Sequence, residues 1–515
     1  MSTYHRQMEN NIRVPFSLRP FFESLPMVLC ALSVMGIAQS SQVSPVDSSK
    51  PDLVLQGDVH DTQHQTYFEI PFDVPPGVHR LSVDFTYTGR EQHTTLDLGI
   101  ADPYRFRGNS GGNKAHFTIA ETDATPSYLP GPIPAGEWKI LVSVPNIRGR
   151  ETSHYRAEVR FNSTLEDQSF ALTPLETGTR WYRGDLHMHT AHSDGSCASQ
   201  SGKRVPCPVF LTVQAAAQRG LDFIAISDHN ADSQYNALRE LQPYFDKVLL
   251  IPGREVTTFW GHFNIFGITQ FVDYRVQPDG RTLNNVLHDV GSLGGIASIN
   301  HADAPTGERC MGCGWTPTGP VDIHLFTGFE VVNGGAGMLV SADAWDKQLA
   351  AGNRLSALGG SDNHNALIPA DKTAAIGRPT TVVEASELSV RGILDGIRRG
   401  RTFIDLTASH DKVIDLDASS GNNHARMGGN LAVSNGAPVQ LRIHVAACDG
   451  DMLHLLVDGR EVTTIAPVAI SPADATINGN WSGDGGRHWL RAEVRDARNE
   501  LVLVSSPIYV NFPGP

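Results

Sequence analysis

The chain has 515 residues, a length suited to about three domains. Lysine plus arginine number 41 and aspartate plus glutamate 55, so the formal net charge is 41 − 55 = −14. That balance argues against a nucleic-acid partner, because phosphate backbones are bound by clustered positive charge. Apolar residues at 40% and charged residues at 19% describe a globular chain, and six cysteines are too few for a disulfide-built scaffold.

At the N-terminus, Arg6, Arg13 and Arg19 precede the apolar run Met27–Ala38, and Ser40 and Ser41 follow it. This is the pattern of a secretory signal over residues 1–38, and the apolar run is too short to span a membrane. Its removal leaves 38 − 53 = −15. The expected location is periplasmic or secreted, with no stable membrane insertion after signal removal. Export changes how the cysteines read. Cys197, Cys207, Cys310 and Cys313 lie in two polar, glycine-rich loops, and in an oxidising compartment disulfides lead over a four-cysteine zinc site. Their connectivity stays open at three possibilities. Cys448, in VAACDGD, reads as a buried free thiol.

Three regions follow. Residues 52–165 alternate with period two: Phe68, Ile70, Phe72 and Val74 share a face, as do Leu81, Val83, Phe85 and Tyr87. Trp138, Ile140, Val142 and Val144 repeat the pattern, as do Tyr155, Ala157, Val159 and Phe161. This predicts an N-terminal antiparallel β-sandwich with an accessory role. Residues 178–405 alternate short apolar strands (GDLHMHT, LDFIAISDHN, KVLLIPGREV, GIASINHA, TGFEVVNG, LSALGGSD) with helices such as Val209–Arg219 and the run around Val390–Ile397. Strand–helix alternation predicts parallel strands in a closed or nearly closed barrel. Residues 410–515 return to alternation, with a hairpin turn at Asp458–Gly459, and predict a C-terminal β-sandwich.

Nine histidines fall between 187 and 364 in this middle region. His187 and His189 are spaced so that both imidazoles leave one face of a strand. His229 ends SDHN, Glu255 ends GRE, His262 opens GHFN, His301 ends INHA, Asp362 and His364 form DNH, and Asp194 follows in a turn. Six imidazoles and three carboxylates at one end of a parallel barrel, the end where such folds build their chemistry, are enough donors for two or three divalent ions (Zn, Mn or Fe). His288 and His324 read as structural.

GDLHMHTAHSDG, FIAISDHN, GREVTTFWGHFNIFG, INHADAP and GGSDNH resemble the PHP (polymerase and histidinol phosphatase) metallohydrolase superfamily, most of all its CehA/McbA-type branch. The resemblance covers residues 180–405 and implies a distorted, TIM-like (β/α)7 barrel with two or three metal ions. By position it implies that His187, His189 and Asp362 hold one ion. Glu255 would bridge it to a second on His262 and His301, and Asp194, His229 and His364 would hold a third. The family's usual His-Pro after the fifth strand is His301-Ala302 here.

The expected activity is hydrolysis of a small-molecule phosphoester, mono- or diester, by a metal-bound hydroxide. Asp194, His192 or Asp303 would protonate the leaving oxygen. The alternatives are a carbamate or carboxyl-ester hydrolase and a non-catalytic secreted protein with a structural metal site. Asp228, Asn300 and Glu330 are candidates to orient the ligands. Arg254, Arg378 and Lys203 are candidates to clamp an anionic oxygen. Phe259, Trp260, Trp315 and the cysteine loops are expected to wall the pocket. The oligomeric state is left open.

Overall fold

The computed structural model describes residues 50–162, 173–277, 280–308, 310–335 and 337–513. The predicted signal over 1–38 lies outside them. No helix among the described residues is long and apolar enough to cross a membrane.

The first region has eight strands: β1 (Leu53–His60), β2 (Thr66–Val74), β3 (Arg80–Tyr87), β4 (Thr95–Ala101), β5 (Phe106–Asn109), β6 (His116–Ala120), β7 (Gly136–Asn146) and β8 (Thr152–Phe161). They form two antiparallel sheets of four, β1-β8-β3-β6 and β2-β7-β4-β5. Period-two alternation gives each sheet one apolar face, and these faces meet in a shared core containing Leu81, Val83, Phe85, Ile70, Trp138, Ile140, Val142 and Val159. Trp138 is fully buried, and its indole N–H donates to Pro134 O at 2.9 Å. Buried Asp123 pairs with Arg80 and with Arg239 of the middle region, each at 2.6 Å, and so ties the two regions together.

The middle region begins with β9 (Glu176–Asp185), the small hairpin β10 (Ser196–Ala198) and β11 (Arg204–Pro206), α1 (Val209–Gln218), β12 (Phe223–Ile226) and α2 (Gln234–Leu241). It continues through β13 (Leu249–Thr258), β14 (Gly261–Phe266), α3 (Leu283–Ser292), β15 (Ile296–Ile299), β16 (Gly328–Asn333) and β17 (Leu339–Val340). It ends with α4 (Ala342–Ala351), β18 (Ser356–Gly360), β19 (Thr380–Leu388), α5 (Val390–Arg398) and β20 (Thr402–Asp405). The order of pairing is β9-β12-β13-β14-β15-β16-β18. The chain just beyond β18 then returns to the chain just beyond β9, through a parallel bridge between Met188 and Asn363. There His189 N donates to Asn363 O at 2.7 Å. Buried Asp185 reinforces this closure by accepting from Ser361 N at 3.0 Å and Gly377 N at 2.7 Å.

Two features differ from a plain strand–helix alternation. β13 does not stop after Glu255; it runs on to Thr258 and turns into β14, which lies antiparallel to both β13 and β15. His262 therefore sits near the start of a reversed strand, and reversal is what brings it to the same end as the others. The second feature is the boundary at 405–410 suggested by the return to period-two alternation. β20 pairs antiparallel with Leu501–Ser505, with Phe403 opposite Ser505 and Asp405 opposite Leu503. An unpaired edge of β20 would expose a row of backbone donors and acceptors, and the C-terminal region covers it.

That last region has one sheet of strands 423–426, 413–420, 438–446 and 474–482, and further strands at 452–457, 488–495, 501–505 and 508–510. Its core includes Leu416, Leu441, Ile443, Leu455, Leu490 and Leu503, and takes in Val382 and Phe403 of the middle region. Asp458 and Gly459 both have positive φ (+52° and +73°), as a tight two-residue hairpin turn requires.

Candidate metal centre

All nine donors named from the sequence converge at one end of this ring. They fall into four groups whose ligand atoms lie within 4.8 Å of one another: His189, Asp194, His229 and His364; His187, His189 and Asp362; His187, Glu255 and His301; His229, Glu255 and His262. His187 and His189 come from the chain beyond β9, His229 from beyond β12, and Glu255 from β13. His262 comes from β14, His301 from beyond β15, and Asp362 and His364 from beyond β18. The groups share members, so neighbouring positions are linked through common ligands.

Glu255 is at the centre and fully buried. Its Oε2 faces His229 Nδ1 at 2.9 Å, His187 Nε2 at 3.4 Å and His189 Nε2 at 3.5 Å. Its Oε1 faces His301 Nε2 at 3.1 Å and His262 Nδ1 at 3.4 Å. Asp362 Oδ1 lies 3.1 Å from His189 Nε2 and 3.5 Å from His187 Nε2. The cluster has a sealed floor and an open edge: the His187 and Glu255 side chains are 1% and 0% exposed, whereas that of Asp194 is 60% and that of His364 39%.

Backbone strain accompanies this convergence. His301 and Asp362 have φ of +26° and +50°. A non-glycine residue in that region costs on the order of 1–3 kcal/mol and persists where surrounding structure holds it. Gly360 is required for a different reason: a Cβ there would lie 2.5 Å from Glu330 Oε1 and 2.4 Å from the Cβ of His187.

The charges explain what the cluster needs. Burial opposes ionisation of Glu255, but neighbouring His187 and His229 hold it well below the usual carboxylate range. Burial likewise opposes ionisation of Asp362, and His187 and His189 reverse it. Burial disfavours a charged His187, yet Glu330, Glu255 and Asp362 raise it well above the ordinary imidazole value. Against the same burial penalty, Glu255 pushes His301 up to about 9 and Asp194 pushes His364 up to about 9. His189 goes the other way: burial, with His364 and His229 nearby, takes it down to about 4. Buried carboxylates thus demand positive charge, which protons on imidazoles supply when no ion does. Buried His187 Nε2, His189 Nδ1 and His262 Nδ1 make no hydrogen bond. Of these, His187 Nε2 and His262 Nδ1 face the Glu255 carboxylate, and buried imidazole nitrogens without hydrogen bonds among shared carboxylates fit divalent cations.

Further residues set the rings. Glu330 accepts from His187 Nδ1 at 2.8 Å and, through Oε2, from His301 N at 2.9 Å and Asn333 Nδ2 at 3.0 Å. Asn300 Nδ2 donates to Glu255 Oε1 at 2.9 Å, so it orients the carboxylate rather than the adjacent imidazole. Asp228 does not touch an imidazole. It accepts from Thr190 N at 2.7 Å and Ser193 Oγ at 2.6 Å and holds the turn that presents Asp194. Three contacts were not foreseen: Thr257 Oγ1 with His229 Nδ1 at 2.6 Å, and the carbonyls of Met311 and Cys313, 3.2 and 2.8 Å from His262 Nε2 and His301 Nδ1. Backbone acceptors and a lone threonine carry no local sequence signal of such a role.

Other candidates are not brought in. His192 Nδ1 lies 2.7 Å from Ser233 Oγ, outside the ligand groups. Asp303 is exposed and belongs to none of the groups. Buried Arg254 is engaged by Gln270 O at 3.1 Å, Tyr235 Oη at 3.4 Å and Asp232 at 3.4 Å, so it is a structural charge. Lys203 is exposed in the turn between β10 and β11. The cysteines pair Cys197–Cys207 and Cys310–Cys313, with Cα separations of 5.0 and 5.6 Å, and no group of ligand atoms among the described residues includes a cysteine. Cys448 is a buried thiol that burial pushes up to about 11.

No family model matches the chain, and no curated protein matches it. Among solved structures, the chain is similar to a two-domain protein from Bacteroides vulgatus described as containing a predicted PHP-like metal-dependent phosphoesterase. The identity is 19%, over 64% of this chain and 96% of that one, with a TM-score of 0.36. A score of that size does not establish a shared fold.

Proposed function

We propose that this chain is an exported metal-dependent hydrolase of the PHP type, its middle region a distorted (β/α)7 barrel, and that it cleaves a small-molecule phosphoester. The observation that supports this is the convergence of nine donors in four groups with shared members. His187, His189 and Asp362 would hold one ion, and Glu255, with an oxygen toward each side, would link it to His262 and His301. Asp194, His229 and His364 would hold a third at the open edge. Divalent ions held by these residues would supply Lewis acidity toward a water and toward the ester bond.

The chain's own groups do the rest. Glu330 and the carbonyls of the 311–313 loop fix ring orientation, and Asp228 holds the turn that carries Asp194. Burial raises the Asp194 carboxyl, but His364, His189 and His229 hold it below the ordinary aspartate range, so it suits ligation rather than proton donation. His192, two residues away, has its Nδ1 2.7 Å from Ser233 Oγ and lies outside the donor groups, so no proton donor for the leaving oxygen is assigned.

A second reading, carbamate or carboxyl-ester hydrolysis, is favoured by the aromatic group at the β13–β14 turn. Phe259 is 69% exposed and stands edge-on to Trp260 at 5.9 Å. Trp315 packs against Gly261, beside His262. An aryl leaving group suits such a rim. The test is metal analysis of the purified protein, followed by assays on an aryl phosphate monoester, a diester and an N-methylcarbamate. Bound metal with phosphoester turnover is expected. Turnover of the carbamate alone would favour the second reading, and a metal-free chain after expression with metal supplied would overturn both.

A further inference from the structure

The six imidazoles of the cluster are not oriented by equivalent means. His187 is set by Glu330, and His364 by the carbonyl of Asp362 at 2.9 Å, both on strands of the ring or their immediate extensions. His229 is set by Thr257 on β13. His262 and His301 instead depend on one irregular loop, described at residues 302–308 and 310–316. His262 Nε2 lies 3.2 Å from Met311 O, and His301 Nδ1 lies 2.8 Å from Cys313 O. A carbonyl can only accept, so each ring must carry its proton on the nitrogen facing the loop. The other nitrogen, Nδ1 of His262 and Nε2 of His301, faces Glu255 Oε1, 3.4 and 3.1 Å away, and is the one positioned to ligate an ion.

The two carbonyls are two residues apart, and the bridge between Cys310 and Cys313 spans them. Three further contacts hold the loop. Gly307 and Cys310 exchange backbone hydrogen bonds at 3.0 and 3.1 Å. Gly312 N donates to Thr306 Oγ1 at 2.8 Å. Gly312 itself, with φ of +78°, is pressed on the β13–β14 turn: a Cβ there would lie 2.0 Å from Thr258 O.

We infer that the Cys310–Cys313 loop is the positioning element for His262 and His301, so that its bridge controls one part of the metal cluster and not the whole. This rests on the metal-site reading above. Of the four donor groups, two contain His262 or His301, both through Glu255, and the other two contain neither. Loosening the loop should therefore weaken ion binding on the Glu255 Oε1 side and spare the groups built on His189, Asp194, Asp362 and His364.

The experiment loads the full chain with Zn2+ after chelator treatment, and follows bound Zn2+ per chain and affinity by competition with a chromophoric chelator. The variants are the double Cys310→Ser, Cys313→Ser, which removes the bridge, and Gly312→Ala, which keeps the bridge but drives the loop off the hairpin. Near-UV circular dichroism checks the fold. In each variant one class of Zn2+ should weaken about 10–100-fold, the usual effect of losing a partner that orients a ligand, while the remaining Zn2+ binds as in the parent. The side-chain nitrogen NMR shifts of His262 and His301 should change, and that of His187 should not. A merely structural bridge would lower thermal stability and leave the binding isotherm unaltered. Unaltered isotherms in both variants, or loss of every ion together with the fold, would overturn the inference. If the parent binds no Zn2+, the metal reading falls as well; if the parent loads and the variants match it, only the loop assignment falls.

Discussion

The N-terminal sandwich and the middle ring bury polar groups to opposite ends. In the sandwich, the most deeply buried charges are closed off by partners: Arg107, fully buried, bonds Asp102 at 2.9 Å and three backbone carbonyls, and Asp123 pairs with two arginines. In the ring, buried imidazole nitrogens remain without hydrogen bonds, and carboxylates crowd around them. Complete pairing is what stability asks of a buried polar group. A set of lone pairs left open and convergent is what an ion asks, and the fold bears left-handed φ at His301 and Asp362 to provide it.

The contrast can be broken deliberately. The largest effect is expected from His187→Ala with His189→Ala. Activity should fall to background and metal affinity by more than the roughly 100-fold typical of an outer partner, with the sandwich still folded. Retention of full activity would refute the site. The converse change, Trp138→Ala in the sandwich, should cost about 3–5 kcal/mol in denaturant unfolding and leave metal content unchanged. A loss of metal in that variant would show that the two regions are not separable.

Smaller effects sharpen the comparison. Glu330→Gln should keep the shape but weaken the hold on His187, costing about 10–100-fold in metal affinity by chelator competition. The last prediction concerns pH. In the ion-free chain the carboxylates beside them push His301 and His364 up to about 9, above the ordinary imidazole value of about 6.5. A raised folded value contributes stability that is complete below the unfolded value and disappears as pH rises through the folded one. The ion-free protein should lose that contribution between pH 6.5 and 9, while ions meet less competition from protons over the same range. The gap in Tm between loaded and chelator-treated protein should therefore widen from pH 6.5 to 9. A constant gap would contradict it.

Much of the site was legible because ligand chemistry is a property of residue type. His187 and His189 two apart on a strand, Asp362 and His364 likewise, and Glu255, His229 and His301 after apolar runs all announce themselves locally, and all nine donors meet. The sandwich faces were legible for a related reason, since period two assigns Ile70, Phe72, Val83 and Ile140 to the inside without knowledge of the partner strand. Arg254 follows the same logic as a structural charge: beside a ligand in sequence, it points to the opposite face of its strand, where it is spent on Asp232, Tyr235 and Gln270.

What the amino-acid order determined by itself is therefore the donor set, the apolar faces and the pattern of turns, because each rests on side-chain identity and short-range periodicity. The tertiary structure alone decided which cysteines pair, that β14 runs backward and carries His262 to the others, and that β20 is covered by Leu501–Ser505. It also decided which nitrogen of each imidazole faces the cluster. Those features depend on contacts such as His187 with Glu330 and His262 with Met311. Such contacts span 143 and 49 residues of chain, and they exist only once the ring has closed.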